Sequence, residues 1–335
     1  DVLKEIDGLT IDTDKLSLKN GRILFSNDKE RQVSRGELKN VSINGNKFST
    51  EFEVINDTLK LIVKAALLDA NPFFAGEKTN KIDVTKVDVI KNKTRPQQIS
   101  IEADKLLLKN DISAKDAKIY VSTNSNGKLT SMEMDALIGE GQTIIRYKPS
   151  VENKNNSIFL EAFDAGQFLK GVGVYNNVKG GFLSIKGQPI NNTANIAGKA
   201  RIDNFRVRDA PVIAKLINTM SLTGILKLLS NEGLTFTRLE SDFEWRFRPQ
   251  GDLAIMKNGR SSGASLGLTF EGILNRETKA IDLAGNVIPM SEVNKLIGDI
   301  PLIGNILTGG DALLAATYKI EGPISDPIVT VNPLA

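Results

Sequence analysis

The pentapeptide Gly259-Arg260-Ser261-Ser262-Gly263 has the G-x-S-x-G spacing of a nucleophile elbow, which lifts a serine hydroxyl onto a strand-to-helix turn beside a histidine base. Here the following residues Leu266, Leu268 and Phe270 alternate as a strand does. The chain also has no histidine, which removes the usual general base, the commonest metal ligand and the near-neutral pH switch together. S-x-x-K occurs at Ser26/Lys29 and Ser125/Lys128, among hairpin-turn residues and without an S-D-N or K-T-G companion. Gly171-Val172-Gly173 lacks the third glycine that would open a helix onto a pyrophosphate. There is no cysteine for a disulfide framework or a thiolate metal site. Forty acidic residues offer many carboxylate pairs of the glycosidase kind, yet spacing singles out none. The N-x-S/T sequons at Asn40, Asn56, Asn92, Asn155 and Asn191 follow from asparagine abundance. No catalytic residue, metal or cofactor is assigned, and the expectation is a protein that is not an enzyme. A carboxylate-dependent carbohydrate-active enzyme stays as the enzymatic alternative.

Composition narrows the partners. A length of 335 residues suits one long β domain or two ordinary ones. With 43 basic and 40 acidic residues spread evenly, the net charge of +3 gives no concentrated basic face, so nucleic acid is not an expected partner. No apolar run reaches the length of a membrane span. The nearest, Val212 to Leu229, is interrupted by Lys215, Asn218 and Lys227. The chain starts at Asp1 without a methionine or signal peptide, and the reading is that an upstream segment has been removed.

The elements that must position any site come from the apolar periodicity. Over residues 1–162 the pattern alternates with period two. Phe48, Phe52 and Val54 share a face opposite Glu51 and Glu53; Leu59, Leu61 and Val63 share one opposite Lys60 and Lys64. Ile99 and Ile101, Ile119 and Val121, Met132 and Met134, and Ile158 and Leu160 continue the series. Asn44-Gly45-Asn46, Asn56-Asp57 and Asn124-Ser125-Asn126-Gly127 supply hairpin turns. This predicts an antiparallel meander with one apolar face, interrupted at Ala66 to Gly76 by a loop or short helical turn. A local repeat pairs Asp14-Lys15-Leu16-Ser17-Leu18-Lys19-Asn20 with Asp104-Lys105-Leu106-Leu107-Leu108-Lys109-Asn110. Repeated hairpins and a Lys/Asn-rich composition both explain it.

Residues 163–335 mix strands with helices. Period 3.6 predicts helices over Asp164–Tyr175, Asp209–Ser230 and Ser291–Leu307. Asp164 and Asp209 read as N-caps, and Gly180-Gly181 as a turn into a strand bearing Leu183 and Ile185. Val212, Ile213, Leu216 and Ile217 form a wide stripe, and Gly224 divides it from Leu226. Leu296, Ile297, Leu302, Ile303 and Ile306 repeat the pattern near the end. Phe243, Trp245, Leu268 and Phe270 belong to further alternating strands.

An apolar sheet face must be covered, yet half of this chain offers no helix to cover it. Folding on itself as a sandwich is one solution. A rolled, incompletely closed sheet whose apolar face lines a groove for a guest is the other.

Pro301-Leu302-Ile303-Gly304, then Tyr318, Gly322-Pro323, Asp326-Pro327 and Asn332-Pro333, is similar to the closing signature of AsmA-like proteins. These are large envelope proteins of Gram-negative bacteria, related to bridge-like lipid transfer proteins. The resemblance reaches back through Asp209-Ala210-Pro211 to Asp164-Ala165-Gly166 and Gly180-Gly181, so it covers the second half of the chain, and it rests on order and spacing more than on any single motif. It implies an elongated, curved, mainly antiparallel sheet forming a taco-like apolar groove, continuous from 1–162 into 163–335. It implies phospholipid as the guest, the inner or outer membrane and envelope proteins as partners, and a periplasmic location behind an N-terminal membrane anchor. Groove lining then falls to the alternating residues named above. The helical apolar residues would plug the groove end or meet the membrane. The non-enzymatic competitor is an assembly factor for outer-membrane proteins with a dry β core.

Overall fold

The computed structural model describes residues 4–13, 16–26, 32–43, 45–71, 95–148, 158–191, 193, 195–220, 223–248, 251–275, 277–289 and 316–333. They form two units, Asp1–Lys148 with Lys170–Val174, and Pro149–Leu169 with Tyr175–Ala335.

In the first unit the alternating segments become strands β1 (Glu5–Asp12), β2 (Leu16–Phe25), β3 (Val33–Ile43), β4 (Asn46–Ile55), β5 (Thr58–Asp69), β6 (Gln97–Leu107), β7 (Ser113–Thr123), β8 (Leu129–Ile138) and β9 (Gly141–Tyr147). Each pairs with its successor. Two-residue turns set the register where their chemistry allows it. Asn56 and Asp57 both take positive φ (48° and 59°), as the tight link from β4 to β5 demands. The β5–β6 pair is parallel, a departure from the all-hairpin meander. Residues 70–96 lie between these strands, long enough for the crossover that a parallel pair needs. Strand β5 also runs through Ala66 to Asp69, where the sequence predicts a break; the apolar Leu67 and Leu68 continue the ladder to β4 and β6.

The local repeat does not mark equivalent hairpins. Leu16–Asn20 of its first copy open β2, whereas Asp104–Leu107 of its second close β6. What they share is a left-handed asparagine, Asn20 (φ 64°) and Asn110 (φ 55°).

The second unit contains β10 (Ile158–Ala162), α1 (Ala165–Gly171, whose last two residues fall to the first unit), β11 (Val178–Pro189), β12 (Ile196–Val207), α2 (Pro211–Thr219), α3 (Thr223–Asn231), β13 (Leu234–Arg246), β14 (Leu253–Gly263), β15 (Leu266–Asn275), β16 (Ala280–Pro289), β17 (Ala316–Pro323) and β18 (Ile328–Pro333). From β10 to β18 every successive pair is antiparallel. The eighteen strands and three short helices make the described chain mainly β.

Helix starts follow capping chemistry with one correction. Asp164 caps α1, its Oδ1 accepting from the Gln167 N–H at 3.0 Å. Asp209 does not cap α2. Its φ of 52° turns the chain, and its carboxylate lies 3.2 Å from Arg208 Nε. The cap residue is Ala210, without a side-chain bond, and Pro211 starts the helix with φ preset. The helical stretch is divided as expected, α2 ending at Thr219 and α3 starting at Thr223, but Gly224 itself lies in the first turn of α3 and not at the break. Gly180-Gly181 falls inside β11 with φ of 61° and 86°, so it twists the strand instead of introducing it. The predicted helix Ser291–Leu307, with Leu296, Ile297, Leu302, Ile303 and Ile306, lies outside the described residues.

A buried polar knot holds the last strands of the second unit. The Tyr318 hydroxyl donates to the Thr269 carbonyl at 2.9 Å, and Asn286 Nδ2 donates to Thr269 Oγ1 at 3.2 Å. Burial pushes the Tyr318 hydroxyl pKa well up, so it stays a donor at any physiological pH. A Cβ on Gly285 would sit 1.8 Å from the Thr269 carbonyl oxygen, so only glycine allows this approach.

Candidate functional site

Register places the predicted lining residues on common faces. In the first unit one row runs Phe52–Leu61–Ile99–Val121–Met132–Tyr147 across β4 to β9. The next runs Thr50–Val63–Ile101–Ile119–Met134–Ile145. Val54 and Leu59 pair at one end of these rows, and Phe48 begins a third row, Phe48–Ala65–Ala103–Ala117. In the second unit Ala162–Leu183–Ile202–Leu239–Ser261–Leu268–Val287–Ala316 forms one row, and Leu160 opposes Ile185. Ile158 faces Gly187, Phe243 faces Met256, and Trp245 faces Ile196 and Ala254. Phe270 faces Gly259.

Burial along these rows is graded. In the first unit Ala103, Leu106, Ala114, Ala117, Ile138 and Thr143 are at most 3% exposed, a closed core toward one end of the strands. Two residues further along, Phe52, Leu61, Val63, Ile99, Ile101, Ile119, Val121 and Met132 are only half-buried, although each is large and apolar. Met134, at 7%, sits at the transition. The second unit shows it less regularly. Val178, Val207, Leu234 and Phe236 are buried at one end, and Leu160, Ile185, Phe243, Trp245, Leu268 and Phe270 are half-buried away from it. Ile196, however, paired with Trp245 at the far end, is 2% exposed. Leu183 belongs to the closed part.

Helices close that end of the second unit. Leu216, Ile217 and Leu229 are at most 2% exposed, with α2 against β18 and α3, and α3 against β13. Val212, Ile213 and Leu226 flank them half-buried. Lys215 Nζ lies 2.6 Å from Asp326 and ties α2 to the β17–β18 turn. At α1, Gly166 permits contact with the β11 backbone, where a Cβ would meet the Val178 carbonyl oxygen at 2.6 Å. No described helix is long and apolar enough to cross a membrane.

Glycines shape the open part. A Cβ at Gly36 would lie 2.3 Å from the tip of the Phe52 ring, and one at Gly259 would lie 2.4 Å from the Phe270 ring. Gly187 opens the same space near Phe243. These rings lean over the neighbouring strand in place of a missing side chain, an aromatic–glycine device that pins register.

Sequence reasoning missed all of β9. The apolar doublet Ile144-Ile145 hides the parity that puts Ile145 and Tyr147 on the open face. The hydroxyls of Thr50 and Thr143 and the indole N–H of Trp245 are also buried on these faces without an acceptor or donor among the described residues.

The opposite face is charged, and in the second unit it neutralises itself. Acids of β13 stand between bases of β12 and β14. Asp242 pairs with Lys199 (2.9 Å), Glu240 with Arg260, and Glu244 with Lys257 and Arg246 (both 2.6 Å), while Asp203 takes Arg201 and Arg238. Hydrogen bonds from Asn258 and Lys199 lower the Asp242 carboxyl, and those from Lys257 and Arg246 lower Glu244. Burial works to raise Asp203, but the bonds and charges of Arg201 and Arg238 outweigh it and bring it down. A carboxyl depressed in the folded state stabilises fully above its unfolded value and loses that contribution as pH falls toward the folded one. The urea midpoint of the second unit is therefore expected to be flat above about pH 5 and to decline from about pH 4 downward. Asp203→Asn with Asp242→Asn flattens that decline. Measuring the midpoint against pH for both proteins checks it.

Ser261, the serine of the G-x-S-x-G spacing, sits inside β14 at 2% exposure with its hydroxyl donating to the Arg238 carbonyl. Among the described residues no group of three or more acidic side chains could hold a metal ion. No family model, curated protein or solved structure matches the chain.

Proposed function

We propose that the chain is a non-enzymatic lipid carrier of the bacterial envelope, whose half-buried apolar rows form an incompletely closed groove for phospholipid acyl chains. The observation that carries this is the gradient of burial. A dry scaffold would bury Leu61, Ile101 and Val121 as completely as it buries Leu106 and Ile138. Instead, large apolar side chains lie side by side on successive strands, while the opposite face is charged. Burying each methylene of a guest is worth about 0.8 kcal/mol, so one acyl chain brings on the order of 10 kcal/mol. That is enough to offset the several kcal/mol of lost freedom on binding, with no polar anchor.

The mechanism is passive. Acyl chains lie on the rows, head groups stay at the wet rim, and a continuous apolar track lowers the cost of passing water without histidine, metal or nucleotide. The motif resemblance of the second half to AsmA-like proteins supports a periplasmic setting between inner and outer membranes. The helices α2 and α3 act there as an end plug.

Purification without detergent, followed by solvent extraction and mass spectrometry, tests the reading. Co-purified glycerophospholipid in molar proportion to the chain is expected. A lipid-free chain that takes up none from vesicles overturns it.

A further inference from the structure

The first unit carries a second feature, built around lysines of its polar face. A concavity of about 540 Å³ lies over β2 to β5, and three of its lining residues are Lys19, Lys47 and Lys64. Each alternates with an apolar-face neighbour (Leu18, Phe48 and Ala65), which puts all three ammoniums on the other side of the sheet. Register confirms a shared face: Ser17 pairs with Ser42, Ser42 with Lys47, and Ser49 with Lys64. These three serines also line the concavity.

Two features mark this place. First, three cations stand together on it without a carboxylate partner among the described residues, whereas Lys39 pairs with Glu37 and Lys199 with Asp242. None of Lys19, Lys47 and Lys64 has a carboxylate within 4.0 Å among the described residues. Even Glu102, which pairs with Lys64 across β5–β6, forms no ion pair with it. Second, the sheet is bent there. Bulges break the ladder between Leu38 and Val41 and between Lys47 and Phe48, and Asn40, at φ 50°, sits in the first. Bulges re-aim side chains and recur beside binding sites. Here they make a hollow where a pleated sheet would be flat.

We propose that this hollow is a binding site for a phosphate group, carried by a soluble phosphomonoester or by a lipid head group at a membrane surface. Three lysines supply point charges suited to a compact polyanion, and Ser17, Ser42 and Ser49 supply hydroxyl donors to its oxygens. The absence of arginine from the lining disfavours a planar carboxylate fork. Although Val41 and Phe48 also line the hollow, Lys19, Lys47 and Lys64 stand on the face opposite the apolar rows. A phosphate they hold is therefore not the head group of a lipid lying in those rows, and the site stands or falls independently of that role.

The test titrates the full chain with glycerol 3-phosphate by calorimetry. In parallel, its binding to phosphatidylcholine vesicles is measured with and without phosphatidate. Saturable binding of glycerol 3-phosphate identifies a soluble ligand. Binding only to phosphatidate vesicles identifies the membrane as the source. In either arm Lys47→Gln with Lys64→Gln weakens binding at least about tenfold, raised salt weakens it further, and Lys60→Gln, outside the hollow, leaves it unchanged. Circular dichroism checks that the variants fold. Absence of binding in both arms, or binding that Lys47→Gln with Lys64→Gln does not move in a folded protein, overturns the proposal.

Discussion

Replacing Leu61 and Ile101 together by glutamate is expected to strip the purified chain of phospholipid while leaving its sheet folded. The two residues sit on adjacent rows of the first unit, on the hydrogen-bonded strands β5 and β6. Both are half-buried, so in the empty protein a carboxylate at either position still reaches water. The stability cost is that of a surface-like change, about 1 kcal/mol each. With acyl chains laid over the rows the carboxylates lose that water, and an unpaired buried charge costs far more than the displaced methylenes contribute. Bound lipid should fall at least about tenfold, equivalent to 1.4 kcal/mol or more, with a melting temperature lowered by only a few degrees. Ile62→Glu is the internal control. Ile62 lies between these residues in sequence, is 42% exposed and faces the charged side, so its variant should retain lipid. Equal losses from both faces would show that the sheet and not the row matters.

The largest effect on stability is expected from Ile217→Asp. Ile217 is fully buried, beside Leu216 at 2% and with Leu229 at 1%, where α2 and α3 close the end of the second unit. An aspartate there must ionise without a partner or stay protonated in an apolar core, at a cost of about 4–5 kcal/mol. The second unit should unfold at a temperature many degrees lower, seen by calorimetry as loss of one transition. Ile213→Asp, at a half-buried position on the same helix, should cost much less. This pair separates an end plug from a membrane-inserting helix. A protein whose Ile217→Asp variant melts normally but no longer binds vesicles would require the membrane role.

How much of this was legible follows from what period and parity can carry. Alternation alone located the rows through Phe52, Leu61, Ile101 and Ile119, because one face of each strand is apolar and the other is Glu, Lys or Ser. It failed where an apolar doublet (Ile144-Ile145) erased the alternation. It failed again at Leu67 and Leu68, whose consecutive apolar side chains mimic an interruption but belong to the closing end of β5. The parallel β5–β6 pair was invisible because nothing local encodes partner direction. Helix existence was readable from the Leu216–Ile217 stripe. The cap was not, because Asp209 has the right side chain on a backbone turned to positive φ. The gradient of burial depends on how far each row lies from the closed end, a tertiary quantity that no spacing in the chain expresses. The hollow at Lys19, Lys47 and Lys64 was hidden for a similar reason, since its bulges bring together residues that are unremarkable one at a time.

The most direct test of the proposed acyl-binding face is photocrosslinking in cells from a benzophenone amino acid placed at Leu61 and, separately, at Ile62. The two positions differ by one residue and point to opposite faces of β5. Phospholipid covalently attached from position 61 and none from position 62 is the predicted result. Lipid captured equally from both positions, or from 62 alone, or from neither, would contradict the claim that acyl chains lie on this face.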